Sequence, residues 1–130
     1  MGLRNVKVIG LEIDKAGVEA ANFNAQQLQL ETHRYIAGDV NRLLKQRLGK
    51  LASSTVLILD PPRDGVGEGT IKAVTKNPPR WILYVSCDPS SLARDLKSLL
   101  PLGYKHKKLA VMDMFPQTAH FESLILLEKQ

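Results

Sequence analysis

Trp81-Ile82-Leu83-Tyr84-Val85-Ser86-Cys87-Asp88-Pro89-Ser90 is the stretch that decides the fold. Its first five residues are apolar and rich in β-formers, which suits a strand buried in a parallel sheet. Asp88 offers a side-chain acceptor as a helix N-cap, and Pro89 fits the first helical position, where no N–H is needed. Leu92, Leu96 and Leu99 follow at helical spacing. The stretch therefore reads as a strand running straight into a helix. Cys87 lies at the strand's carboxyl end and the helix's positive end. Ligands bind at such ends in open α/β sheets, and a helix N-terminus favours thiolate over thiol. The plainer alternative is a small buried apolar residue, which most free cysteines are. Position does not decide between the two; other motifs must.

The same alternation extends outward in both directions. Residues 6–12 read as a strand, and Asp14 caps a helix running to about residue 30 with Val18, Ala21, Ala25 and Leu28 on one face. Residues 33–37 form a second strand, closed by Gly38-Asp39, and a helix over 41–48 stops at Gly49. Residues 56–60 are almost wholly apolar and predict a central strand. Pro61-Pro62 ends it, since neither proline donates to a ladder. A glycine-rich loop over 63–69 and a short helix to about residue 76 lead back to the opening stretch. After Pro101-Leu102-Gly103, residues 104–112 and 121–128 read as two strands with no helix between them, so they pair antiparallel. The pattern predicts an α/β fold: a doubly wound, mostly parallel sheet with a terminal antiparallel strand. No repeat or linker divides the chain, and residues 1–130 read as one domain.

At 130 residues the chain is long enough for one domain with a core. Its single cysteine excludes a disulfide framework or a cysteine-rich zinc or iron–sulfur site within the segment. It also fits a reducing, cytoplasmic setting. No signal peptide or long apolar span is present, so no membrane partner is expected, and no metal site is predicted. The net charge of +5 favours a polyanionic partner only moderately. Arg42-Lys45-Arg47-Lys50 and Lys105-His106-Lys107-Lys108 read as solvated helix faces or hairpin edges.

Three groups of residues carry chemistry. Asp60-Pro61-Pro62-Arg63 ends the apolar strand, where an aspartate points into a ligand crevice; its alternative is a plain strand-ending turn. Phe115-Pro116-Gln117-Thr118-Ala119-His120-Phe121-Glu122 brings a turn, an aromatic and a carboxylate to the start of the last strand. Glu122 there serves as a general base if it faces the crevice, or as an edge charge that discourages aggregation. His120 reads as a hydrogen-bonded structural histidine. Glu12 and Asp39 each end a strand, where carboxylates accept bonds from ribose hydroxyls; both have capping as the alternative.

Taken together, Ile58-Leu59-Asp60-Pro61-Pro62-Arg63-Asp64-Gly65, residues 85–96 from Val85-Ser86-Cys87-Asp88-Pro89 to Arg94-Asp95-Leu96, and residues 113–122 resemble the catalytic domain of RNA uracil-C5 methyltransferases. The resemblance covers nearly the whole chain. It implies a class I methyltransferase fold, S-adenosylmethionine as cofactor, and a ribosomal or transfer RNA as partner. It also implies Cys87 as nucleophile, Glu122 as proton-abstracting base, Glu12, Asp39 and Asp60 as cofactor contacts, and Arg63 as an RNA or base contact. The residue types suit the chemistry. A thiolate adding to uracil C6 makes C5 nucleophilic toward a methyl donor, and the C5 proton then needs a base. The target base must leave its stack to reach the thiol.

The family's pattern begins with a strand and glycine-rich loop that do not occur here. The sequence therefore reads as the carboxyl-terminal part of a catalytic domain, its first strand missing. By the resemblance that strand lies between the strands ending at Glu12 and Asp60, so two edges are expected to stand unpaired or to be forced together. Exposed edges invite self-association, and these residues alone are expected to bind the cofactor weakly and to methylate poorly. Three rival readings remain. An amino-methyltransferase needs no cysteine, but Arg63 stands where its motif has an aromatic. An RNA cytosine-C5 methyltransferase commonly carries a second cysteine in the proline-rich motif. A non-catalytic fragment serving as an RNA-binding or interaction module is the third.

Overall fold

The computed structural model describes residues 6–49, 55–114, 116–118 and 121–130. They form two compact units, Met1–Leu44 and Lys45–Gln130.

The first unit is a β–α–β arrangement of β1 (Val8–Glu12), α1 (Lys15–Gln27) and β2 (His33–Ala37). The strands pair in parallel, from Val8 opposite His33 to Glu12 opposite Ala37. Asp14 caps α1 as expected, its carboxylate accepting the N–H groups of Ala16 and Gly17 at 3.1 and 3.0 Å. Val18 and Ala25 are buried, but Leu28 is exposed. The helix ends earlier than its apolar spacing predicts, because Gln29 turns to φ 54° and Leu30 N–H closes on the Ala25 carbonyl at 2.8 Å. Asn22 of α1 meets the backbone of β2, donating to the Tyr35 carbonyl at 2.9 Å and accepting its N–H at 3.1 Å. It thereby satisfies backbone groups that no strand pairs among the described residues. Helix α2 (Val40–Leu48) follows, opened by Asp39 and closed before Gly49 as the sequence indicates.

The second unit contains β3 (Val56–Leu59), α3 (Glu68–Lys76), β4 (Trp81–Ser86), α4 (Pro89–Leu99), a 3-10 turn (Leu100–Leu102), β5 (Tyr104–Met112) and β6 (Glu122–Lys129). Its strand order is β3-β4-β6-β5. β3 and β4 are parallel, while β6 runs against both β4 and β5. The terminal antiparallel strand is therefore present, seated inside the sheet. Among the described residues β3 stands at the edge of its sheet, which corrects the central position that its apolar run suggested and agrees with the unpaired edge that the resemblance gave it. Its only ladder among the described residues is with β4, and Val56 and Ile58 are 51 % and 63 % exposed. An apolar run reports what faces a strand, whereas hydrogen-bonded edges are decided by its neighbours. Among the described residues, β1 likewise pairs only with β2. The described strands thus form two sheets, each with an unpaired edge where the sequence expected one.

Alternation with period two sorts the second sheet into faces. Ile82, Tyr84 and Ser86 of β4 and Ser123, Ile125 and Leu127 of β6 are buried, along with Leu92 and Leu99 of α4 and Ala73 and Val74 of α3. Each fully buried large side chain contributes roughly 1.5–3 kcal/mol. Asp88 N-caps α4 with Pro89 in its first turn. Gly103, at φ 89°, lets the chain turn left-handed out of the 3-10 segment into β5. Residues 105–112 of β5 are exposed along the sheet edge, so Lys105-His106-Lys107-Lys108 is the charged hairpin edge its sequence suggests. Tyr104 starts β5 buried, donating to the Pro79 carbonyl at 2.6 Å. Burial pushes its phenol up to about 12. Among the described residues, no helix is long and apolar enough to cross a membrane.

Candidate active site

The turn after β4 is held by three side chains. Ser86 Oγ accepts the Asp88 N–H at 3.1 Å and donates to the Asp88 carbonyl at 2.8 Å. Ser91 Oγ donates to the same carbonyl at 3.0 Å. Asp88 Oδ2 accepts the Ser91 N–H at 2.7 Å. The Ser91 N–H first, and then its hydroxyl, hold the Asp88 carboxyl below its usual range, helped by the positive fields of Arg63 and Arg94. Cys87 is the residue enclosed by this clasp, half-buried and unpaired with any other cysteine.

Glu122 comes from the opposite direction along the chain. In the β4–β6 ladder Trp81 faces Glu128 and Ser86 faces Ser123. The ladder ends there: Cys87, the next residue, lies in the bend that leads into α4, and Glu122 precedes Ser123. Glu122 is half-buried at the start of β6 and pairs with Met112 of β5.

The Asp60-Pro61-Pro62-Arg63 loop leaves β3 beside this turn. Extending the β3–β4 register places Asp60 level with Val85. Asp60 and Arg63 are exposed. The loop turns back at Gly65, whose N–H donates to the Pro62 carbonyl at 2.8 Å with φ 78°. A Cβ at Gly65 would collide with the side chains of Asp95 and Arg94, so glycine is needed for space as well as for conformation.

Those two residues belong to a network that the sequence reading missed. Asp95 of α4 is 4 % exposed. Its Oδ2 accepts the Val66 N–H at 2.8 Å and the Tyr84 hydroxyl at 2.6 Å. Its Oδ1 faces Arg94 Nε at 3.3 Å. Arg94 also donates to the Asp64 carbonyl. Burial first, and then the bond to Asp95, raise the Tyr84 phenol far above its ordinary value. The signal was in the sequence: Asp95 interrupts the apolar stripe of α4 between Leu92 and Leu99. A carboxylate on a buried stripe is seldom left without partners.

Glu12 and Asp39 share the carboxyl end of the first unit's sheet, where Gly38 N–H donates to the Glu12 carbonyl at 2.8 Å. Glu12 Oε1 accepts the N–H groups of Ile13 and Asp14 at 2.6 and 2.9 Å. Asp39 Oδ1 accepts the Arg42 N–H at 3.2 Å in the first turn of α2. Both acids therefore serve the local turns, and both are exposed. Cys87 follows the last residue of β4, Glu122 opens β6 and the Asp60–Arg63 loop follows β3, all in the second unit, while Glu12 and Asp39 lie in the first. Phe115, Ala119 and His120 lie outside the described residues. Among the described residues, no group of three or more His, Cys, Asp or Glu side chains is placed to hold a metal ion.

Parallel strands ending in functional loops, with one antiparallel terminal strand between neighbours, define the class I methyltransferase fold. Precorrin-6y C5,15-methyltransferase of Geobacter metallireducens shares it at TM-score 0.68 and 13% identity, with 96% of this chain and 68% of that one covered. At that identity the likeness is one of fold alone. The narrower assignment comes from a family model described as tRNA (Uracil-5-)-methyltransferase, which matches residues 2–130; the chain belongs to that family. It is similar to the tRNA (uracil-54, C5)-methyltransferase of Pyrococcus abyssi, solved in complex with S-adenosyl-L-homocysteine, at TM-score 0.77 and 28% identity over 95% of this chain and 29% of that one. A 23S rRNA (uracil(1939)-C(5))-methyltransferase of Marinomonas sp. is 42% identical over 95% of this chain and 28% of its own length. An uncharacterized RNA methyltransferase of Clostridium tetani is 39% identical over 93% of this chain and 26% of its own length. The chain thus spans little more than a quarter of these relatives.

Proposed function

We propose that the chain carries the reacting groups of an S-adenosylmethionine-dependent RNA uracil-C5 methyltransferase acting in the cytoplasm. What supports this most is that the β4–β6 ladder ends with Ser86 against Ser123, the chain neighbours of Cys87 and Glu122, at a sheet's ligand-binding end. Cys87 adds as thiolate to C6 of a uracil displaced from its stack. The bond from sulfur to C6 moves the electron pair of the C5–C6 double bond onto C5, conjugated with the C4 carbonyl. Glu122 takes the C5 proton after C5 has gained its methyl group. Cys87 then leaves as thiolate and the double bond re-forms. Arg63 contacts the RNA from the loop beside the Cys87 turn.

The residues present fit the cofactor. Its ribose hydroxyls and cationic end are groups that carboxylates recognise. Glu12 Oε2 makes no hydrogen bond among the described residues, while Oε1 is used by the turn. In the first unit, Glu12 and Asp39 are the residues that would hold it. When bound, S-adenosylmethionine supplies an electrophilic methyl group.

The test of the reaction uses RNA carrying tritium at uracil C5 and the protein as its gene encodes it. Tritium release that requires S-adenosylmethionine is expected. Methylation without tritium release would move the target to another atom and overturn the reading. Ribosomal and transfer RNA are separated by supplying each in turn; the relatives include both kinds of enzyme.

A further inference from the structure

We propose that Asp95 is a positioning residue for this reaction: it ties the loop bearing Asp60 and Arg63 to the helix that begins beside Cys87. The inference rests on the function proposed above. Asp95 touches neither base nor cofactor in that mechanism, yet it is the most heavily engaged carboxylate beside the site. One oxygen takes the Val66 N–H from the far end of the loop and the Tyr84 hydroxyl from β4. The other faces Arg94, which reaches the Asp64 carbonyl in the same loop. Loop, strand and helix therefore meet on one buried side chain. Tyr84 stands three residues before Cys87, and α4 carries the Asp88 cap that encloses it. A shift of the loop would move Arg63 relative to the thiol.

A bulk structural role would only lower stability. A positioning role predicts that kinetics change in a protein that stays folded. At such sites a displacement of about 1 Å costs about 10²-fold in rate. Asp95→Asn keeps the shape but loses the charge and one acceptor, and Tyr84→Phe keeps the carboxylate and the Val66 bond. The experiment measures steady-state methyl transfer well below each variant's melting temperature, alongside backbone hydrogen exchange at Val66. In the native protein the Val66 amide is expected to be protected. In Asp95→Asn it is expected to exchange faster, with kcat/KM for RNA falling about 10²-fold, mostly through KM. Tyr84→Phe is expected to show a smaller loss of the same kind. Should Asp95→Asn fail to fold, Tyr84→Phe carries the test. Faster exchange at Val66 with unchanged KM and kcat overturns the positioning role. An unprotected Val66 amide in the native protein overturns the clamp itself, whatever the reaction. A protected amide in a protein that transfers no methyl group overturns the function and the positioning role, and leaves only a structural clamp.

Discussion

The carboxyl end of the β1–β2 sheet and the carboxyl ends of β3 and β4 are built by different means. At the first, Glu12 and Asp39 are fixed by backbone N–H groups one to three residues away. At the second, bonds from Tyr84 and Val66 converge on Asp95 from 11 and 29 residues away. Exposed local caps contribute about 0.5–2 kcal/mol each. A buried carboxylate with several partners is costlier to disturb, because every donor left behind is unsatisfied. The first end suits a site that binds, where a modest loss of affinity is tolerable. The second suits a site where bonds are made and broken, which requires fixed geometry.

Substitutions at the two ends should therefore differ in scale. Cys87→Ala is expected to abolish methyl transfer, since no C6 adduct forms; a radiolabelled methyl assay reads this. Glu122→Gln is expected to lower turnover by about 10²–10⁴-fold and to let the protein–RNA adduct accumulate on denaturing gels. Asp39→Ala is expected to cost about 0.5–2 kcal/mol in denaturant unfolding and to reduce turnover by a smaller factor than Glu122→Gln. An effect of Asp39→Ala equal to that of Glu122→Gln would erase the contrast.

Alkaline pH gives a further comparison, smaller still. The folded second unit keeps the Tyr104 phenol protonated up to about 12, against about 10 in an unfolded chain. Between those values the native state binds more protons than the unfolded one. Stability present below pH about 10 is therefore lost as pH rises through about 12. Tyr104→Phe should flatten that part of the decline, although it is less stable at neutral pH for want of the bond to Pro79. Urea melts at a series of pH values check both effects.

What the sequence made legible follows the same division. Asp14 and Asp88 as caps, Pro89 in the first turn of α4 and the helix-free β5–β6 pair all depend on neighbouring residues, and all were readable. Cys87 stood out because strand and helix signals meet on it. The apolar run of β3 suggested a central strand and misled, because Val56 and Ile58 are largely exposed; it was the resemblance that gave this strand an unpaired edge. The Asp95 network was missed because its partners lie on a loop and on another strand. Only the break in the apolar stripe of α4 marked it. The ladder whose last pair, Ser86 and Ser123, adjoins Cys87 and Glu122 joins residues far apart in sequence, and neither motif alone carries it.

The central claim is that one uracil fits between the Cys87 thiol and the Glu122 carboxylate. It is tested most directly by mixing the protein as its gene encodes it with RNA containing 5-fluorouridine and S-adenosylmethionine, then identifying the cross-linked peptide by mass spectrometry. Fluorine at C5 blocks the final deprotonation and traps the adduct. The account predicts a methylated fluorouridine bonded to Cys87, and none in Cys87→Ala. Methylation of natural RNA at undiminished rate by Cys87→Ala would contradict it.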